Sequence, residues 1–70
     1  MKDNYRYAIY FRWADDHFED SFNVYDAKER DANIKEMKAR GDFEWIAWSR
    51  IYADGEYGVW HTVLGSLISE

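Results

Sequence analysis

The clearest pattern at the start of the sequence is a strict alternation of side-chain character over residues 5–13. The odd-numbered positions hold Tyr5, Tyr7, Ile9, Phe11 and Trp13, and the even-numbered ones hold arginine, alanine and tyrosine. A period of two with aromatic and β-branched residues is typical of a half-buried strand. A polar turn at residues 14–17 and a second strand within residues 18–24, starting near Asp20, are predicted to follow.

The polar stretch that comes next has the end signals of a helix over residues 27–40. Asp26 is placed to cap its start, with Glu29 three residues later as in a capping box, and Gly41 suits the left-handed residue that ends a helix. The apolar stripe of this helix is thin and centres on Ile34 and Met37. Such a helix is expected to cover one face of a sheet and leave its other sides in water.

Residues 43–64 form the most aromatic part of the chain and are predicted to be a β-hairpin. Asp54-Gly55 is the expected centre of a two-residue type I′ turn, which needs positive φ at both positions. This register places Tyr52 opposite Tyr57 and Trp48 opposite His61. Both faces of the hairpin carry large apolar groups, so both are expected to contact something.

The element order predicts an α+β fold, ββαββ, in one domain over residues 1–70. We expect a four-stranded, mostly antiparallel sheet with one helix packed on one face. The uncovered face is predicted to be the one that bears Trp48, Tyr52, Tyr57 and His61, because Arg50 and His61 make it the less apolar of the two. An uncovered aromatic face of this kind is expected to be a contact surface.

Composition limits the ways in which so short a chain is stabilised. Seventy residues bury a small core, and the absence of cysteine excludes disulfides and cysteine-based metal or redox sites. Fourteen residues are aromatic, and each can bury about 150–250 Å². Aromatic packing and self-association are therefore the expected sources of stability.

The negative charge of the protein is concentrated in one segment. Residues 15–31 contain seven acidic and two basic side chains, so this segment alone has the net charge of −5 of the whole chain. A field of this sign argues against direct nucleic-acid binding, which requires lysine and arginine against phosphates. No apolar run is long enough for a membrane span and no signal-peptide pattern opens the chain, so a cytoplasmic location without membrane contact is expected.

Three groups of residues are candidate chemical sites. Asp15, Asp16, Glu19 and Asp20, next to His17, offer oxygen ligands to a hard cation, but their spacing lacks a calcium-loop pattern and a solvated acidic turn is favoured. His17 and His61 are the only candidate general bases, and structural roles are favoured for both. The sequence contains no nucleophile or phosphate-loop motif, and we expect neither an enzyme nor a cofactor.

The third group is an aromatic set that resembles the stacking platforms of single-strand binders. It comprises Trp45, Trp48, Trp60, Tyr52 and Tyr57, with Arg6, Arg12 and Arg50 as companions. Packing in the core or in a dimer is favoured for these rings, because the net charge opposes nucleic acid.

Two runs of the sequence resemble small uncharacterised proteins encoded by phages of Gram-positive bacteria. They are SFNVYDAKERDANIKEM at residues 21–37 and SRIYADGEYG at residues 49–58. The resemblance implies a phage or prophage accessory protein that acts inside the host cell, and it brings no catalytic residue with it.

These observations lead to two hypotheses about function. In the first, a small acidic interaction protein binds a basic surface of a host protein through Asp15, Asp16, Glu19 and Asp20, and acts as an inhibitor or, in the strongest form, as a DNA mimic. In the alternative, the aromatic sheet face closes a structural homodimer, with no separate ligand, and the charge only maintains solubility.

Overall fold

The computed structural model describes residues 5–65, which form four strands and one helix. The strands are β1 (Tyr7–Trp13), β2 (Glu19–Val24), β3 (Phe43–Arg50) and β4 (His61–Leu64), and helix α1 (Ala27–Arg40) lies between β2 and β3 in the chain. The sheet has the order β2-β1-β3-β4, and every neighbouring pair is antiparallel. The predicted α+β fold with the order ββαββ is confirmed.

Both ends of α1 form as the sequence predicts. The Asp26 carboxylate accepts a hydrogen bond from the Glu29 backbone N–H at 2.8 Å, and Gly41 ends the helix with φ of 72°. The Glu29 side chain reaches back to the N–H of Tyr25 at 2.9 Å, one residue before the cap. These bonds satisfy backbone donors that have no partner inside the helix.

The main core lies between α1 and one face of the sheet. β2 and β3 flank β1 and run parallel to each other, so α1 crosses over β1 as it connects them. Ile34 and Met37 are the buried residues of α1. They pack in one cluster with Ile9, Phe11, Val24, Phe43 and Ile46.

The prediction of which face the helix covers is wrong. Trp48 packs against the main core, and the guanidinium of Arg30 on α1 lies 4.1 Å from the centroid of the Trp48 ring. The His61 ring stacks on Trp48 with the two ring centroids 4.3 Å apart. The presence of a polar histidine therefore does not mean that this face of the sheet is uncovered. Arg50, the other polar residue used in that prediction, is exposed at the end of β3.

A β-bulge explains why the helix-covered face is more apolar than simple alternation suggests. Arg12 pairs with Trp45 and Trp13 pairs with Phe43, so Glu44 is an extra residue in β3. An extra residue reverses the alternation beyond it. Phe43 therefore joins Ile46 in the main core, although the two differ by an odd number of positions.

The chain covers the second face of the sheet with its own residues 57–60. Ala8, Trp45, Ala47 and Ser49 are buried on this face, away from the helix. The Tyr10 ring lies 4.9 Å from Trp45 and 5.5 Å from Trp60, centroid to centroid. The Ser49 hydroxyl donates a hydrogen bond to the Gly58 carbonyl at 3.1 Å, and this bond attaches residues 57–60 to the sheet.

The turn of the β3–β4 hairpin differs from the predicted type I′ turn. The N–H of Gly55 donates to the Tyr52 carbonyl at 2.9 Å, which makes Ala53-Asp54 the central pair. Gly55 has φ of 89°, and His17 is the only non-glycine residue with positive φ in residues 5–65, so Asp54 lacks the φ that a type I′ turn needs. This pattern matches a three-residue loop with a left-handed glycine.

The loop also shifts the pairing beside it. Trp48 lies opposite His61 as predicted, but Tyr57 bridges to Ile51 and not to Tyr52. The Asp54 carboxylate accepts the Glu56 N–H at 3.0 Å. This local bond favours aspartate before the left-handed glycine and explains why the Asp-Gly pair indicated the right place but the wrong turn.

Replacing Gly55 with valine tests the turn. We expect Gly55→Val to lower the free energy of unfolding by about 1–3 kcal/mol, because a β-branched residue is strained at positive φ. A Cβ at Gly55 meets nothing within 4 Å, so the cost comes from the backbone alone. Urea unfolding beside the control Ala53→Val measures it, and equal midpoints for the two variants would contradict a left-handed residue at this position.

Candidate functional site

Two of the predicted acidic residues lie at the tip of the β1–β2 turn. The Trp13 N–H donates to the Phe18 carbonyl at 2.9 Å and closes a loop of residues 14–17. His17 ends the loop in the left-handed region with φ of 60°. The Asp16 carboxylate accepts the N–H of Phe18 at 3.0 Å, and Asp15 has no hydrogen bond within residues 5–65. Both aspartates are exposed.

Four further carboxylates lie at the same end of the sheet. Glu19 and Asp20 begin β2 directly after the turn. Asp42 and Glu44 come from the start of β3, which is brought here because Trp13 pairs with Phe43 and Ala14 donates to the Asp42 carbonyl at 2.9 Å. We call these six residues the acidic end, namely Asp15, Asp16, Glu19, Asp20, Asp42 and Glu44.

Three of the six carboxylates lie within ion-pair distance of a basic side chain. Arg12 lies 3.4 Å from both Glu19 and Glu44. Glu44 also lies 2.9 Å from Nδ1 of His17, and Asp42 lies 3.1 Å from Nε of Arg40. The positive charge available at this end is therefore used by Glu19, Asp42 and Glu44.

The other three carboxylates have no cation. Asp15, Asp16 and Asp20 form no ion pair within residues 5–65. Asp16 and Asp20 accept hydrogen bonds from backbone N–H groups, which orient them without removing their charge. The acidic end thus presents three exposed negative charges to solvent.

Asp20 also bonds a backbone group at the β2 edge of the sheet. Along an antiparallel strand, the N–H groups of successive residues point alternately toward and away from the neighbouring strand. Trp13 and Phe18 form a hydrogen-bonded pair, so the N–H of Ser21, three positions after Phe18, points away from β1. The Asp20 carboxylate accepts this N–H at 2.8 Å. An outward N–H that is already bonded is not available to an added strand, so Asp20 blocks pairing at this one position of the β2 edge.

Tyr10 connects the acidic end to the second face of the sheet. Its hydroxyl donates to Oε1 of Glu19 at 2.8 Å. This hydrogen bond raises the pKa of Tyr10 above its usual value of 10.0, and burial and the negative charge of Glu19 raise it further. The folded state therefore favours the protonated phenol.

A pH titration is expected to reveal this bond. Because the folded pKa is raised, the stabilisation is present below the usual tyrosine pKa and is lost as pH rises through the higher folded value. We expect wild type to be more stable than Tyr10→Phe at neutral pH, with a difference that shrinks in strongly alkaline solution. Urea unfolding of both proteins across the alkaline range measures this, and a constant difference would refute the assignment.

The remaining predicted contact residues do not form one surface. Trp48 and His61 stack on each other on the helix-covered side. Tyr52 and Tyr57 are about half exposed, at 50% and 55%, and lie at the end of the sheet away from the acidic end. A role for Tyr52 and Tyr57 in partner binding stays a prediction, whereas the single aromatic face that was to join all four residues does not exist.

Sequence reasoning missed Asp42 and Glu44 as members of the acidic end. Each is separated from Asp16 by more than twenty positions in the chain. The predicted fold could have indicated them. A third strand that pairs antiparallel with the first must start beside the β1–β2 turn, and Asp42 and Glu44 lie at that start. Only the register shows that Glu44 shares Arg12 with Glu19.

The described part of the chain contains neither a metal-binding group of side chains nor a membrane-spanning helix. Within residues 5–65 no three His, Asp or Glu side chains are grouped so as to hold a metal ion. In the same range, α1 is too short and too polar to cross a membrane. Comparisons of the chain with protein-family models, with curated proteins and with solved structures find no match.

Proposed function

We propose that the protein is a non-enzymatic interaction protein whose acidic end binds a basic surface of a partner protein. The observation that supports this proposal is the set of three exposed carboxylates, Asp15, Asp16 and Asp20, that have no cation within residues 5–65. The two histidines weighed as general bases have other contacts, His17 with Glu44 and His61 with Trp48.

The arrangement of the acidic end suits fast and selective association. Unpaired carboxylates need not break an existing ion pair before they meet a lysine or arginine. Complementary charge raises the association rate and disfavours wrong partners more than it adds affinity. The four-residue loop and the backbone hydrogen bonds to Asp16 and Asp20 hold these groups in place before binding, which reduces the entropy lost on association.

The partner we propose is a host protein, inside the host cell, whose basic surface normally contacts nucleic acid. The resemblance of residues 21–37 and 49–58 to phage-encoded proteins supports a host partner. In the strongest form of the proposal, the carboxylates of the acidic end occupy positions that phosphates take on the partner. Binding would then weaken as the salt concentration rises, because dissolved ions screen exposed charge pairs.

A pull-down from host lysate at two salt concentrations tests the proposal. Wild type is expected to retain a basic partner at low salt and to release it at high salt. Asp15→Asn with Asp16→Asn is expected to lose the partner, while the asparagine at position 16 keeps an oxygen for the Phe18 N–H. The matched control, Glu36→Gln with Glu56→Gln, changes the net charge equally at exposed sites elsewhere and should retain the partner.

Two outcomes would count against the proposal. Equal loss of the partner in both double variants would mean that net charge, and not the acidic end, determines binding. Recovery of the protein itself alone would favour the alternative of a structural homodimer. The fold gives that alternative less support, since α1 covers Trp48 and the chain's own residues 57–60 cover the second face of the sheet.

A further inference from the structure

The end of the sheet away from the acidic end contains an open cleft of about 510 Å³. It forms because the chain continues beyond β3 beside β1, where the Ile51 N–H donates to the Arg6 carbonyl at 2.7 Å, and then turns back at Gly55. Arg6, Arg50, Asn23, Tyr52 and Tyr57 are among its lining residues. Its volume is within the range of about 300–1,000 Å³ that is usual for small-molecule sites.

The arginines of the protein divide into two groups. Arg12, Arg30 and Arg40 each lie within ion-pair distance of a carboxylate. Arg6 and Arg50 form no ion pair within residues 5–65, and both line this cleft. Within residues 5–65 of this acidic chain, the two arginines that form no ion pair therefore line the same cleft.

No acidic side chain within residues 5–65 lines the cleft. Among residues 5–65, Asp54 and Glu56 flank the lining residue Gly55 in the hairpin turn, and neither lines the cleft. Asn23 and the tyrosine hydroxyls add further hydrogen-bond donors to those of the arginines. A planar guanidinium with several N–H groups matches the oxygens of a phosphate, and two of them provide a strong anion site.

The tyrosines give the cleft aromatic surfaces. Tyr52 lies against the backbone at Gly58, where an added Cβ would come within 3.1 Å of the Tyr52 hydroxyl oxygen. The Arg50 guanidinium lies 5.8 Å from the Tyr52 ring centroid. Tyr57, which also lines the cleft, is half exposed. Exposed aromatic faces that are held in place stack readily on the ring of a ligand.

We propose that this cleft binds a small aromatic molecule that carries a phosphate group. Arg6 and Arg50 contact the phosphate, and Tyr52 and Tyr57 stack on the ring. The site is separate from the acidic end and does not depend on the function proposed for it.

The test is an NMR titration of the full chain at constant ionic strength with three probes, adenosine monophosphate, adenosine and inorganic phosphate. The monophosphate is expected to give saturable shifts at residues 6, 23 and 50–57 and to bind more tightly than either other probe. Arg50→Gln, and independently Arg6→Gln, should each weaken its binding by roughly tenfold, the effect of losing one charge-assisted hydrogen bond. Lys35→Gln, an equal charge change on the exposed side of α1, should leave binding unchanged.

Several results would overturn the proposal. One is the absence of saturable shifts with the monophosphate, or shifts that map to the lysines of α1. Another is an equal loss of binding in Lys35→Gln and the two arginine variants. Equal affinities for the monophosphate and inorganic phosphate would show that the tyrosines contribute nothing, and equal affinities for the monophosphate and adenosine would show the same for the arginines.

Discussion

Ile46→Ala is expected to lower the free energy of unfolding by about 2–5 kcal/mol, the usual cost of truncating a fully buried isoleucine. Ile46 has 0% exposure and belongs to the main core with Ile9 and Met37. The lost methyl groups leave a cavity between β3 and α1 that a close-packed core fills only in part.

A loss of this size is decisive for so small a protein. At roughly 0.05–0.15 kcal/mol per residue, a chain of 70 residues has a total stability of about 4–10 kcal/mol. Urea unfolding followed by tryptophan fluorescence measures the change. The control Ile51→Ala removes the same atoms from a partly exposed site and should cost clearly less. Equal costs would contradict the placement of Ile46 at the centre of the core.

Trp48→Ser is expected to lower the free energy of unfolding by about 2–3 kcal/mol, somewhat less than for a fully buried tryptophan because Trp48 is only partly buried. The change removes the stack on His61, the contact with Arg30 and the edge-to-face contact with Tyr7, whose ring centroid is 5.6 Å away. Tyr57→Ser should change stability by about 0.5 kcal/mol or less, as at most exposed sites.

The pair of serine variants distinguishes the two possible arrangements of the helix. With α1 on the Trp48 face, Trp48→Ser is clearly destabilising, and Tyr57→Ser stays folded with a thermal midpoint within a few degrees of wild type. If α1 lay on the opposite face, Trp48 would be open to solvent and both variants would be close to wild type in stability. Thermal unfolding monitored by circular dichroism separates these outcomes.

Local signals in the sequence were sufficient for the elements. The helix bounds follow from Asp26, Glu29 and Gly41, because capping depends on residues a few positions apart. The alternation that ends at Trp13 likewise located β1 and placed Ile9 and Phe11 on the core side. The order of the elements then indicated the fold class.

The choice of covered face could not be read from the same signals. It depends on the extra residue Glu44, which moves Phe43 to the helix side, and a bulge has no clear mark in a single sequence. It also depends on residues 57–60 folding over the sheet, through the bond from Ser49 to Gly58. Counting polar residues on two ideal faces neglects both effects.

The candidate site was predictable in part. The acidic run from Asp15 to Asp20 is visible in the sequence and stays together because it spans one tight turn. Which acids remain unpaired depends on the strand register that brings Arg12 between Glu19 and Glu44. The same holds for Arg6 and Arg50, which are far apart in the chain and line one cleft because Arg50 lies opposite Tyr7.

An NMR titration of the labelled protein with a lysine-rich peptide is the most direct test of the acidic end as a binding surface. We expect shifts confined to residues 14–21 and 42–44, and we expect them to vanish at high salt because screening weakens exposed charge pairs. The three unpaired aspartates, Asp15, Asp16 and Asp20, should show the largest changes. Shifts of equal size at Glu36 and Glu56, or no salt-sensitive shifts at all, would contradict the account.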